Sequence, residues 1–125
     1  MSFAVFQCPS ANNQKTVDGG AHYCVIVGDE TLFGTDGTGR SSNDYKRNML
    51  LIVERQEAIC WMTPNQEISQ AAAEIGINKT ATTFGSFHTG GTNAATKAGG
   101  VQFISVTIPD EKLREWIVGT DDEIP

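Results

Sequence analysis

The chain has 125 residues, with 15 Asp and Glu against 9 Lys and Arg and a formal net charge of −6. A chain of this size buries roughly two-thirds of the surface its unfolded form exposes, and 39% apolar with 19% charged residues reads as one globular domain over residues 1–125. The acidic balance excludes a nucleic-acid or anionic-lipid surface, which needs clustered Lys and Arg, and no apolar run reaches the roughly 18 residues of a membrane helix.

The start, Met1 to Ser10, lacks the charged region and apolar block of a signal peptide. The chain as given is therefore expected to be soluble, with any exporting segment lying before Met1. Cys8-Pro9 follows. The three cysteines, Cys8, Cys24 and Cys60, allow one internal disulfide. Cys24 and Cys60 sit in apolar runs and read as small buried hydrophobes, whereas Cys8 is placed to crosslink to Cys24 in an exported protein, closing a loop worth about 3 kcal/mol.

Ala21 to Gly28 (AHYCVIVG) and Met49 to Arg55 (MLLIVER) are short and rich in Val, Ile and Leu, and predict two strands of one sheet. The loop between them holds Gly34, Gly37 and Gly39 and imitates a phosphate-binding loop through Ser41, with Arg40 in the lysine position. No apolar helical face follows it, so it reads as a polar connection. Asp29, Glu30, Asp36 and Asp44 lie in the same stretch without the spacing of a calcium loop. Glu54 closes an apolar strand, where a carboxylate needs a partner such as Arg55, Arg47 or a histidine.

Thr63-Pro64-Asn65-Gln66 carries a capping-box pattern with Pro at the first helical position, and Ile68, Ala71, Ala72 and Ile75 recur at helical spacing until Gly76. Asn78-Lys79-Thr80 is a glycosylation sequon, relevant only in a eukaryotic secretory setting. Thr80 to His88, Thr92 to Thr96 and Val101 to Thr107 predict three further strands, joined as an antiparallel meander by turns at Gly90-Gly91 and Gly99-Gly100. After Pro109, DEKLREWIV sets Leu113, Trp116 and Ile117 on one face with acids in the first turn, which predicts a second helix. The sum is an α+β domain: an antiparallel sheet of about five strands with one or two packed helices.

Residues that could carry chemistry are few. His22 and His88 are the only histidines; neither sits in a nucleophile elbow. No Cys-x-x-Cys or His-x-x-x-His pair occurs, so a zinc site would have to be assembled from scattered residues.

Taken together, Cys8-Pro9-Ser10, Asn48 to Glu54 (NMLLIVE), Trp61 to Pro64 (WMTP), His88 to Asn93 (HTGGTN) and Lys97 to Ile104 (KAGGVQFI) resemble, in that order, the motifs of the planctomycete-type prepilin-like family of unknown function. Its corresponding strings are C-P-S, N-T-I-L-V-V-E, W-T-K-P, H-P-G-G-x-N and A-D-G-S-V-R-F-I. The residues carrying the resemblance are Cys8, Pro9, Asn48, Glu54, Trp61, Pro64, His88, Gly90, Gly91, Asn93 and Gly99; Ala98 and Gln102 stand where the family has an aspartate and a basic residue.

The resemblance implies a pseudopilin-like head domain, extracytoplasmic at the periplasm or cell surface and attached to a membrane only through an N-terminal prepilin helix outside this chain. It implies assembly with other pilin-like subunits or secretion-system proteins, no enzymatic activity and no cofactor. His88, Gly90, Gly91 and Asn93 then form a structured turn. The alternative expectation is a ligand- or metal-binding module, for calcium or a glycan, using the glycine-rich loops and His88 with Asn93 and Glu54.

Overall fold

The protein is described from a computed structural model, in which the structure describes residues 7–8, 20–34, 49–60 and 67–119, with the side chain of Cys60 excepted. Pro9, Asn48, Trp61 and Pro64, the Thr63 cap, Asp36, Asp44 and the phosphate-loop-like residues 35–41 lie outside the described residues.

Four strands form the main sheet: β1 (Gly20–Cys24), β3 (Leu50–Cys60), β5 (Gly91–Thr96) and β6 (Val101–Ser105), in the order β1-β3-β5-β6. All neighbours are antiparallel, with Cys24 opposite Val53, Val53 opposite Ala94, and Asn93 opposite Phe103. The first predicted strand breaks in two, because β2 (Ile26–Val27) leaves the sheet to pair in parallel with β4 (Ile68–Ser69). The main sheet therefore has four strands rather than five.

Thr80 to His88 is the strand that does not form. Only Phe84 bridges to Arg55, with Gly85 N–H donating to Glu54 C=O at 3.0 Å. Its threonines instead bond one another around a turn, Thr80 Oγ1 to Thr83 Oγ1 at 3.3 Å. The first helix is also shorter than its apolar spacing suggests: α1 runs Gln70–Glu74, capped by Ser69 Oγ, which accepts the Ala72 N–H at 3.1 Å. Ile68 satisfies the helical repeat in sequence yet is a strand residue, since its N–H goes to Val25 C=O at 3.0 Å. Gly76 ends the helix region as expected, at φ +136°.

The second helix matches its prediction. α2 (Asp110–Val118) begins after Pro109 with Asp110 and Glu111 in its first turn, and it buries Leu113, Trp116 and Ile117. Those side chains join Cys24, Ile26, Val53, Phe84, Ala94 and Ile104 in one core, so both helices cover the same side of the sheet. Phe84, Leu113 and Ile117 are buried almost completely, each contributing about 1.5–3 kcal/mol. The opposite side is left more open, and across it run the partly exposed Ile52, Val101 and Phe103. Among the described residues no helix is long and apolar enough to cross a membrane.

Candidate functional site

Strands β3 and β5 part company after the Val53–Ala94 pair, and the fork they leave is where the polar residues gather. In a continuing ladder, the next main-chain groups would satisfy one another. Here Glu54 C=O is taken by Gly85, and the Asn93 N–H donates instead to Glu54 Oε2 at 2.8 Å. Thr92 Oγ1 donates to the same oxygen at 3.0 Å. A buried carboxylate thus replaces the missing strand partner, and the two donors fix its orientation so that Oε1 faces the other way.

That second oxygen meets His88, whose Nε2 lies 3.1 Å from Glu54 Oε1. The histidine partner expected for Glu54 is therefore His88; Arg55 turns instead to Glu57 C=O, at 2.9 Å. The turn that aims His88 is held by side chains. Ser86 Oγ accepts the His88 N–H at 3.1 Å and donates to Gly91 C=O at 2.7 Å. Asn78 Oδ1 accepts the Ser86 N–H at 2.8 Å, and Gln56 Nε2 donates to Ser86 C=O at 2.9 Å. Asn78, the sequon residue, is thus committed to this turn.

Gly90 and Gly91 serve the turn for two different reasons. Gly90 has φ +82°, a backbone region that L side chains rarely adopt. Gly91 is needed for space, because a Cβ there would run into Ile104 O and come within 2.7 Å of the Phe103 ring.

The third group arrives from far away in sequence. Cys8 Sγ lies 3.3 Å from His88 Nε2, 80 positions along the chain, and the Cys8 N–H donates to His22 Nδ1 at 2.8 Å. An accepting Nδ1 places the proton of a neutral His22 on Nε2. Burial lowers the His22 pKa below its ordinary 6.5, with Glu54 pulling the other way. Burial, helped by Cys8 and then Glu54, raises that of neighbouring Tyr23 above 10.

The fork accordingly collects Cys8, Glu54, His88, Gly90, Gly91 and the main chain of Asn93. Gly99 does not belong to it, since it shapes the far end of the β5–β6 hairpin, where φ is +96° and its N–H donates to Thr96 C=O at 2.9 Å. Cys8 and Cys24, the pair considered for a disulfide, are both buried thiols. Tyr23 stands opposite Glu54 and Cys24 opposite Val53, so alternation sends Cys24 into the core and away from the fork. Burial there pushes its thiol up to about 11, which makes it a poor nucleophile or ligand.

Sequence reasoning named His22 among the few residues that could carry chemistry without placing it beside Glu54 and His88, and it missed Thr92 and Ser86 as members of the site. Nothing local marks Thr92 within the short polar run GTNAAT of β5, and the roles of His22 and Ser86 likewise depend on contacts that no local pattern encodes. Of the acids considered for calcium, Glu30 is engaged by Arg114 Nη2 at 2.9 Å and by Gln70 Nε2 at 3.1 Å.

Chemically, one feature dominates the cluster: thiol and carboxylate both approach the same imidazole nitrogen. A nucleophilic relay needs the two ring nitrogens used separately, one toward the nucleophile and one toward the orienting acid. In comparisons with protein-family models, curated proteins and solved structures, the chain matches none.

Proposed function

We propose that this chain is a non-enzymatic head domain of a pilin- or pseudopilin-like subunit, working outside the cytoplasm in protein assembly. The observation that carries the reading is the convergence of motif residues. Three segments that resemble the prepilin-like family separately, the cysteine of C-P-S, the glutamate ending the apolar strand and the His-x-Gly-Gly turn, supply Cys8, Glu54 and His88 to one fork. Nothing in their sequence spacing requires that meeting.

Two further features favour docking over turnover. The Cys8 thiol and the Glu54 carboxylate meet at one and the same nitrogen of His88, whereas covalent catalysis by a thiol uses the base and its orienting group at separate positions. The side of the sheet away from the helices presents Val101 and Phe103, 69% and 55% exposed, beside Ile52. An apolar row of this kind suits a protein neighbour, here an adjacent pilin-like subunit.

The test uses the whole gene product in its own cells. Antibody to the domain should find it in the envelope fraction, shortened at its N-terminus only while the prepilin peptidase is present. An unprocessed product in the cytosol would overturn the reading.

A further inference from the structure

We infer that Cys8 Sγ, Glu54 Oε1 and His88 Nε2 form a three-ligand site for a divalent metal ion of the zinc class. These atoms all lie within 4.8 Å of one another, with the sulfur 3.3 Å and the carboxylate oxygen 3.1 Å from the imidazole nitrogen. A tetrahedral ion with zinc-like bond lengths holds sulfur and nitrogen about 3.6 Å apart, and nitrogen and oxygen about 3.3 Å apart. The sulfur–nitrogen and nitrogen–oxygen pairs therefore need to open by only a few tenths of an ångström to admit the ion, and sulfur and carboxylate oxygen lie within 4.8 Å of each other.

Three independent features support the assignment. First, the donors point at a common space: the nitrogen that meets the thiol is the one that meets the carboxylate, the arrangement a metal requires and a proton relay does not. Second, the charges fit. Glu54 is almost fully buried, and a divalent ion would neutralise it together with a thiolate, the Cys8 proton passing to solvent on binding.

Third, an outer shell is already in place. Glu54 Oε2 is tied down by Thr92 Oγ1 and the Asn93 N–H, while the Cys8 main chain is held by His22 Nδ1. Such partners orient ligands before the ion arrives.

The donor set also decides which ion. Sulfur, nitrogen and a single carboxylate oxygen suit zinc or cobalt; calcium takes six to eight oxygens. Among the described residues three protein ligands converge, and water can fill the fourth tetrahedral position, since the His88 side chain is 26% exposed.

The experiment is a titration of the reduced, EDTA-treated chain with zinc, followed by calorimetry, and with cobalt, followed by its thiolate charge-transfer absorption. The expected result is one ion per chain, a cobalt band, and a higher Tm with zinc but not with millimolar calcium. Cys8→Ser and His88→Gln should each weaken binding at least tenfold and abolish or shift the band, with Glu54→Gln as a third variant; Cys24→Ala should leave both unchanged. Circular dichroism establishes that each variant scored is folded. Zinc binding that survives Cys8→Ser and His88→Gln, a band lost on Cys24→Ala, or no zinc binding by the parent would each overturn the assignment. The outcome is independent of where the protein resides, so this site and the assembly role can fail separately.

Discussion

Two polar clusters in this molecule use similar side chains to opposite ends. At the surface, Arg114 clasps Glu30 at 2.9 Å and Glu74 at 3.3 Å, while Gln70 bonds both acids at 3.1 and 3.2 Å, so the network links α1, α2 and the turn after β2. In the sheet fork, Glu54 meets His88 at 3.1 Å. The surface pairs are screened by water, and breaking one exposes nothing that water cannot satisfy. Glu54 lies beyond the reach of bulk water, so every group around it depends on its staying there. Burial, rather than the number of contacts, separates a dispensable charge cluster from a site.

Substitutions can break or sharpen this contrast. Phe84, fully buried where the strand-like bridge to Arg55 meets the core, sets the scale: Phe84→Ala should cost about 3–5 kcal/mol in urea unfolding. Glu54→Ala comes next. It strands the Asn93 N–H and the Thr92 hydroxyl, and should cost about 2–4 kcal/mol, with Glu54→Gln recovering part of the loss by keeping an acceptor. Gly91→Ala should cost about 1–3 kcal/mol, because its methyl collides with the β6 main chain at Ile104 O, which cannot move aside, as well as with the Phe103 ring. At the small end, Arg114→Ala should leave the urea midpoint within replicate scatter of the parent. A loss there as large as that of Glu54→Ala would erase the distinction between the two clusters.

Protonation sharpens the contrast further. The folded state depresses the His22 pKa below 6.5, burial outweighing the opposing pull of Glu54. The unfolded chain then binds the extra proton first as pH falls, so the His22 contribution to stability is complete above 6.5 and is lost as pH drops from 6.5 through the lowered folded value. Urea unfolding at pH 7.5 and 5.5 should show the parent losing more stability than His22→Gln, whose amide can still accept the Cys8 N–H. Equal losses would remove His22 from the account.

What could be read from sequence follows how local each signal was. α2 was legible because Leu113, Trp116 and Ile117 share one helical face and Pro109 marks its start. The need of Glu54 for a partner was legible too, since a carboxylate ending an apolar strand cannot stay unpaired. Ile68 misled, because an isoleucine satisfies a helical repeat and a two-residue parallel pairing with Ile26 equally well. Thr80 to His88 misled through its β-forming composition, although Gly85 packs against Asn78 and the threonines bond locally. The meeting of Cys8 with His88 had no local signal at all, being set by how β1, β3 and β5 bring their ends together.

That meeting is also the point on which everything else rests, and a double-mutant cycle tests it without any metal. Cys8→Ala, His88→Gln and the double variant, unfolded by urea in the presence of EDTA and reductant, should show a coupling of about 0.5–3 kcal/mol, as contacting side chains do. Strict additivity between these two residues would contradict the convergence of the three segments and, with it, the site.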